Sequence, residues 1–240
     1  EFEDEGLSFH DLVHLKEIVS TVNIPLSVKI GGCGAVYDLL TAISIGPKNI
    51  VAPMIETPYA LIKFVSILSE VISVEERNQI NSYINIETIT GCNNIDDILG
   101  SEQIKSIMGI VIGRVDLSKS INLSRGAINS EEMFDLTLKL CEKIKKTHLT
   151  CGIGGGITLD SINYLQKMPR GFFDFFETRK IAFAFEMIFE QDITKALKLA
   201  IEFENLLLKS KIEEYSRLST VERRRSELLE KRLGELSAIN

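Results

Sequence analysis

The acidic residues that close apolar runs are the groups in this sequence best placed to do chemistry. Glu87 ends Tyr83-Ile84-Asn85-Ile86-Glu87-Thr88, and Asp116 follows Ile110-Val111-Ile112-Gly113-Arg114-Val115. Lys29 stands at the end of another apolar run, before Gly31-Gly32. Glu56 follows the run that carries Pro53, and Glu3 and Glu5 lie near the start. Two carboxylates at the ends of adjacent strands can share one cavity. Their hard oxygens suit Mg2+ or Mn2+, which keep several waters and take only one or two carboxylates from a protein. The same residues could equally cap the helices that follow them, or pair with Lys29 and Arg114. Zinc is disfavoured, because there are three histidines and the cysteines at 33, 92, 141 and 151 form no C-x-x-C pair. His10 and His14, four apart, read as the solvated face of a helix. Gly152-Ile153-Gly154-Gly155-Gly156-Ile157 misses G-x-G-x-x-G at its last position and has no P-loop Lys-Ser/Thr. It is a weak nucleotide signature and a better tight turn.

Reactive groups at strand ends require strands. Short apolar runs predict them at Glu1–Glu3, Leu26–Ile30, Asn49–Met54, Ser82–Glu87, Gly109–Gly113, Leu149–Ile153 and Gly171–Phe176. Their near-continuous apolar character suggests strands covered on both faces. Helical spacing separates them. Thr57-Pro58 starts a helix with a capping Thr and a first-turn Pro, Ser73-Val74-Glu75-Glu76 fits a capping box, and Ser130-Glu131-Glu132 opens a helix to about Lys146. That last helix has acids at its start and Lys143, Lys145 and Lys146 at its end, as the helix dipole favours. Strand–helix alternation over most of the chain predicts a parallel sheet, closed as an eight-stranded barrel or open and doubly wound. In either case the strand carboxyl ends carry the site.

The tail has no strand signal. Ile181–Leu208 reads as an apolar helix. Lys211–Leu236 interleaves charges, with Leu218, Val221, Leu228, Leu229, Leu233 and Leu236 at helix-like spacing. Packing on the barrel or on a neighbouring subunit is expected, and Arg223-Arg224-Arg225 is offset by neighbouring glutamates. With 240 residues, 45% hydrophobic and 25% charged, the composition is that of a globular protein with a substantial core. A net charge of −7 gives no general attraction to nucleic acid or anionic membrane. No apolar run reaches the roughly 18 residues of a membrane span. The cysteine usage suggests free thiols in a reducing cytoplasm. The abrupt start, Glu1-Phe2-Glu3-Asp4-Glu5 without a Met, suggests part of a longer polypeptide.

Several of these stretches together resemble the HpcH/HpaI aldolase and citrate lyase β-subunit family of the pyruvate/phosphoenolpyruvate barrels. They are Glu3-Asp4-Glu5-Gly6, Val28-Lys29-Ile30, Ile50-Val51-Ala52-Pro53-Met54-Ile55-Glu56-Thr57, Ile86-Glu87-Thr88 and Gly113-Arg114-Val115-Asp116-Leu117-Ser118, in the family's order over residues 1–120. The resemblance implies a TIM-type (β/α)8 barrel over residues 1–185, lacking or truncated in its first β/α unit, with a helical extension over 186–240. It implies that Glu87 and Asp116 hold Mg2+ or Mn2+. Lys29, where the family commonly has Arg, would hold the oxyanion of a pyruvate-like 2-oxo acid. With Gly6 where an aldolase His is expected, Glu5 or Glu3 would move the proton. Glu56, Gly113, Arg114 and Lys29 would bind substrate. The implied reaction makes or breaks a carbon–carbon bond between a 2-oxo acid enolate and an aldehyde. A citryl- or malyl-CoA-type lyase acting on an acyl thioester, and a barrel that has lost catalysis and serves as a binding module, are the alternatives. Proteins of this kind are commonly oligomers, so a homo-oligomer is expected as well; with the charge and cysteine usage above, the expectation is a cytoplasmic protein without nucleic acid or membrane partners.

Overall fold

The computed structural model describes residues 1–3 and 5–237. Its centre is a curled seven-stranded sheet: β1 (Ser27–Lys29), β2 (Asn49–Ala52), β3 (Asn81–Ile86), β4 (Gly109–Gly113), β5 (Thr150–Gly154), β6 (Phe175–Glu177) and β7 (Ala182–Ala184). Spatial order equals chain order. The first six strands run parallel, and β7 returns antiparallel to β6. A doubly wound sheet reverses its strand order at a switch point, so this sequential order rules that alternative out. It also lets successive right-handed crossovers lay their helices on one face.

Helices fill the connections: α1 (Phe9–Thr21), α2 (Val36–Ile43), α3 (Pro58–Val71), α4 (Val74–Arg77), α5 (Ile89–Asn93), α6 (Ile95–Gly100), α7 (Arg114–Ser120), α8 (Glu131–Lys145), α9 (Leu159–Gln166) and α10 (Ile193–Ser237). The expected starts hold. Thr57 accepts the Ala60 amide at 3.2 Å ahead of Pro58, Ser73 and Glu76 form a reciprocal capping box, and Ser130 caps α8. His10 and His14 are exposed on α1, and all four cysteines are free.

Two strand expectations change. Glu1–Glu3 is not a strand, although the Phe2 amide donates to the Lys29 carbonyl at 3.0 Å and lays this segment beside β1. Residues 182–184, expected in a helix, form β7. The turn before it closes when Thr178 and Ile181 exchange hydrogen bonds, and the long helix begins only at Ile193. The two ends of the sheet curl into ion-pair reach of each other. Arg179, beyond β6, meets Glu1 at 2.6 Å and Glu5 at 3.0 Å, and Lys180 meets Glu5 at 2.6 Å.

The strands are not apolar on both faces. One face carries Val28, Ile50, Ala52, Ile84, Ile86, Ile110, Ile112, Cys151, Ile153 and Phe176, all buried in the core. The alternate positions carry polar groups and glycines in rows set by the register. Lys29, Val51, Tyr83, Gly109 and Thr150 form one row, and Asn85, Val111, Gly152 and Phe175 the next. Gly113 pairs with Gly154, and one residue past the paired ends this top row is completed by Glu87 and Glu177. Side-chain period two therefore puts the core aliphatic residues on one face and all of these polar residues on the other, alongside Val51, Val111 and Phe175.

The chain divides into two compact units, Glu1–Leu197 and Lys198–Asn240. The second is the greater part of α10, on which Leu218, Val221, Leu228, Leu229 and Leu233 are exposed. The side chain of Leu236 lies outside those described. No described helix is long and apolar enough to cross a membrane.

The glycine-rich turn after β5 serves packing. Gly155 and Gly156 adopt φ of +80° and +63°, and a Cβ on Gly155 would lie 2.6 Å from the Val115 amide nitrogen and 2.8 Å from that of Arg114. Only glycine combines that backbone with that approach. Gly155→Ala is therefore expected to destabilise the protein by about 2–4 kcal/mol in chemical denaturation, since strain and a backbone clash add.

Candidate functional site

The row at the carboxyl ends of β3–β6 is built around a buried carboxylate. Glu87 is only 3% exposed. Isolated burial of that charge would cost several kcal/mol, so its oxygens must be satisfied. Its Oε1 accepts the Met54 amide at 2.9 Å. Its Oε2 accepts from Asn85 Nδ2 at 3.1 Å and faces Lys29 Nζ at 4.0 Å. Met54 can offer its amide because it takes a left-handed turn, φ 52°, just past β2. Gly113 makes the space, for a Cβ there would lie 2.5 Å from Glu87 Oε2. Burial raises the Glu87 pKa, with the Lys29 charge and the two hydrogen bonds opposing.

Lys29 reaches this row from β1 and lies between carboxylates, with Glu1 at 3.2 Å and Glu3 at 3.1 Å. Burial works against its charge, but Glu87, Glu1 and Glu3 outweigh it and raise its pKa, so it stays an ammonium. Beside Glu87, the Asn85 Oδ1 oxygen is buried with no hydrogen-bond partner.

A second carboxylate faces the same row. Glu177, half-buried at the end of β6, lies against Gly154, where a Cβ would be 3.0 Å from its Oε1. Burial lifts its pKa to about 7, Glu1 and Glu87 add to the lift, and Lys29 opposes it. This residue escaped the sequence reading, yet its signal was present. Phe176-Glu177-Thr178 repeats the Ile86-Glu87-Thr88 pattern, a strand closing in Glu followed by Thr.

The other expected residues spread around this rim. Glu56 takes a 2.6 Å bond from the Thr88 hydroxyl, and its carbonyl accepts from Asn94, so it ties the loop after β2 to that after β3. Glu5 is held by Arg179 and Lys180, and Glu3 by Lys29. Asp116 sits in the first turn of α7, three residues past Gly113, and pairs with Lys119 at 2.8 Å. Arg114 does not face the rim. It is fully buried, donates to the carbonyls of Gly154 and Gly155 and to Asn129, and lies 4.6 Å from the centre of the Tyr164 ring. Its guanidinium is used to satisfy the turn after β5.

Among the described residues, no group of three or more His, Cys, Asp and Glu side chains is placed to hold a metal. A Mg2+ or Mn2+ site needs fewer, because such ions retain waters. Glu87 keeps free lone pairs beyond the bonds it accepts, the orphaned Asn85 Oδ1 is a hard oxygen beside it, and Asp116 follows the glycine on which it rests. The donor chemistry fits a hard divalent cation.

Residues 22–184, more than half of the sequence, match the family model HpcH/HpaI aldolase/citrate lyase. The chain belongs to the HpcH/HpaI aldolase/citrate lyase family. That family implies a lyase-type activity. Solved structures share its fold at low identity. The HpcH/HpaI aldolase from Desulfitobacterium hafniense DCB-2 is 15% identical, with a TM-score of 0.56 over 69% of this chain and 71% of that one. An HpcH/HpaI aldolase/citrate lyase family protein from Burkholderia cenocepacia J2315 is 14% identical, with a TM-score of 0.60 over 86% and 83%. Citrate synthase SbnG is 15% identical, with a TM-score of 0.59 over 88% and 82%. No curated protein sequence matches the chain.

Glu177 has a thermodynamic consequence in this family member. Its folded pKa of about 7 lies above its ordinary 4.5, so the folded state gains on protonation. That gain is complete below pH ~4.5 and lost as pH rises through about 7. Glu177→Gln is expected to stabilise the EDTA-treated protein by about 1–3 kcal/mol near pH 8, with the gain fading near pH 5, in denaturant melts at both values.

Proposed function

We propose that this protein is a divalent-metal-dependent carbon–carbon lyase that joins or separates a pyruvate-like 2-oxo acid and an aldehyde at the carboxyl ends of β3–β6. The curled sheet is read as part of a TIM-type barrel. The observation that carries the functional reading is the buried Glu87 carboxylate, facing the Lys29 ammonium over glycine backbone at a strand end. An enclosed, paired carboxylate at that place is an expensive feature for a scaffold that only folds.

Glu87 and Asp116 would hold Mg2+ or Mn2+, with Asn85 Oδ1 beside them, and the ion supplies Lewis acidity where negative charge develops on the substrate oxygens. Lys29 acts in the same sense. It is charged throughout the neutral range and lies in a low-dielectric setting, so it stabilises an oxyanion more strongly than it would in water. A lysine offers a point charge rather than the bidentate fork of an arginine, so it favours a single oxygen over a planar carboxylate. Gly113 and Gly154 carry no side chain, and the space this leaves is taken by Glu87 and Glu177, which brings both carboxylates onto one row.

The competing reading is a catalytically silent binding module. It draws on the engagement of Lys29 by Glu1 and Glu3, which leaves the ammonium already neutralised.

Proton–deuterium exchange at the methyl group of pyruvate separates the two, because it reports enolate chemistry without the aldehyde. Exchange is expected with Mg2+ or Mn2+, to be lost with EDTA, and to fall about 10²-fold or more in Glu87→Gln and Asp116→Asn. Metal-independent exchange, or full exchange in Glu87→Gln, contradicts the metal assignment.

A further inference from the structure

An aldol step needs a group that takes a proton and gives it back, and the proposed function leaves that group unnamed. The nearby side chains can be sorted by what they already do. Lys29 is held protonated among carboxylates and cannot accept a proton near neutral pH. Glu87 accepts hydrogen bonds on both oxygens. Glu5 is clamped by Arg179 and Lys180, and Glu3 by Lys29. His10 and His14 are exposed on α1, and His148 precedes β5 at the opposite end of that strand from Gly154.

Glu177 differs from all of these. It stands in the same row as Glu87, separated from it across β4 and β5 by Gly113 and Gly154. Its carboxylate packs on Gly154 and accepts no hydrogen bond from any described residue, while Glu87 packs on Gly113 and accepts a hydrogen bond on each oxygen. Two carboxylates therefore face one glycine floor in opposite conditions, one fixed by donors and one left open.

We propose that Glu177 is the catalytic acid–base of this site, acting on the methyl carbon of a 2-oxo acid held beside Lys29 and Glu87. The inference rests on the 2-oxo acid lyase reading above. In the addition direction the C3–H bond breaks, its proton goes to a Glu177 oxygen, and its electron pair becomes the C2–C3 π bond as the C2 carbonyl oxygen takes the negative charge. That charge develops where Lys29 can hold it. The enolate carbon then forms the new bond to the aldehyde carbon, and the resulting alkoxide takes the proton back from the Glu177 acid. Glu177 ends ionised, no oxidant or reductant is needed, and cleavage is the same path reversed. The charged groups facing Glu177 are Lys29 from β1, Glu87 from β3 and Glu1 from the segment beside β1. With burial they place its titration at about 7, where a group can both accept and donate.

The test follows methyl exchange in pyruvate by NMR from pH about 5 to about 9, on the metal-supplemented wild type, Glu177→Gln and Glu177→Asp. Binding of oxalate, a planar enolate mimic, is measured on each by calorimetry. Wild-type exchange is expected to fall on the acid side with a midpoint near 7. Glu177→Gln should lose about 10²–10⁴-fold in exchange while binding oxalate within about threefold of wild type. Glu177→Asp should recover part of the rate, with the acid limb displaced. Exchange in Glu177→Gln within about tenfold of wild type, or an acid limb unmoved in Glu177→Asp, overturns the assignment and leaves the lyase reading standing. Joint loss of oxalate binding and exchange in both variants also overturns it, by making Glu177 a binding residue. No exchange in the wild type, with oxalate bound or not, overturns the lyase reading and this role with it.

Discussion

Placing the Glu87 carboxylate inside a sheet constrains everything around it. A buried carboxylate needs donors, and this one takes them from three elements: the Met54 amide after β2, Asn85 two residues earlier on β3, and the Lys29 ammonium from β1. It also needs room, which Gly113 provides on the neighbouring strand. Each requirement draws further ones. The lysine draws carboxylates of its own, and Glu1 and Glu3 pair with it. The segment carrying them must be fixed in place, and Glu1 and Glu5 meet Arg179 and Lys180 beyond β6. One buried charge thus links the first and last parallel strands of the sheet.

The division of labour between the two faces follows from side-chain period two. One set of alternate positions is isoleucine, valine and phenylalanine and supplies the core. The other set mixes polar residues and glycines with Val51, Val111 and Phe175, and contains the carboxylates and the lysine. Glycine inside strands weakens them and marks places where something else must approach closely. At Gly113 and Gly154 that something is a glutamate. The face that contributes least to stability is the face that holds the site, a common relation between folding and function.

The strand ends ahead of Glu87 and Asp116 were legible because a β-strand's apolar run has a sharp end and a threonine or glycine marks it. The helix starts at Thr57, Ser73 and Ser130 were legible for the same local reason. Three features were not. The polar face of the sheet was hidden because Lys29, Asn85 and Glu87 are few among the aliphatic residues, and glycine scores as neither apolar nor polar. Arg114 read as a free cation beside an acid, whereas the Gly155-Gly156 turn leaves carbonyls inside the fold that only a long donor can reach. The return strand β7 was hidden because Ala182-Phe183-Ala184 is short and apolar and resembles a helix start as much as a strand. Glu177 directly follows the expected strand Gly171–Phe176, but only the register places it in the same row as Glu87.

On the reading proposed above, Glu87 and the groups beside it form one metal-dependent site for an enolate. Binding of Mn2+ followed by electron paramagnetic resonance, with and without oxalate, tests it most directly because it needs no substrate and no turnover. The account predicts a bound-Mn2+ spectrum that changes when oxalate is added, and the loss of both in Glu87→Gln while that variant remains folded. A spectrum of free Mn2+ in the wild type, or a bound spectrum indifferent to Glu87→Gln, would contradict it.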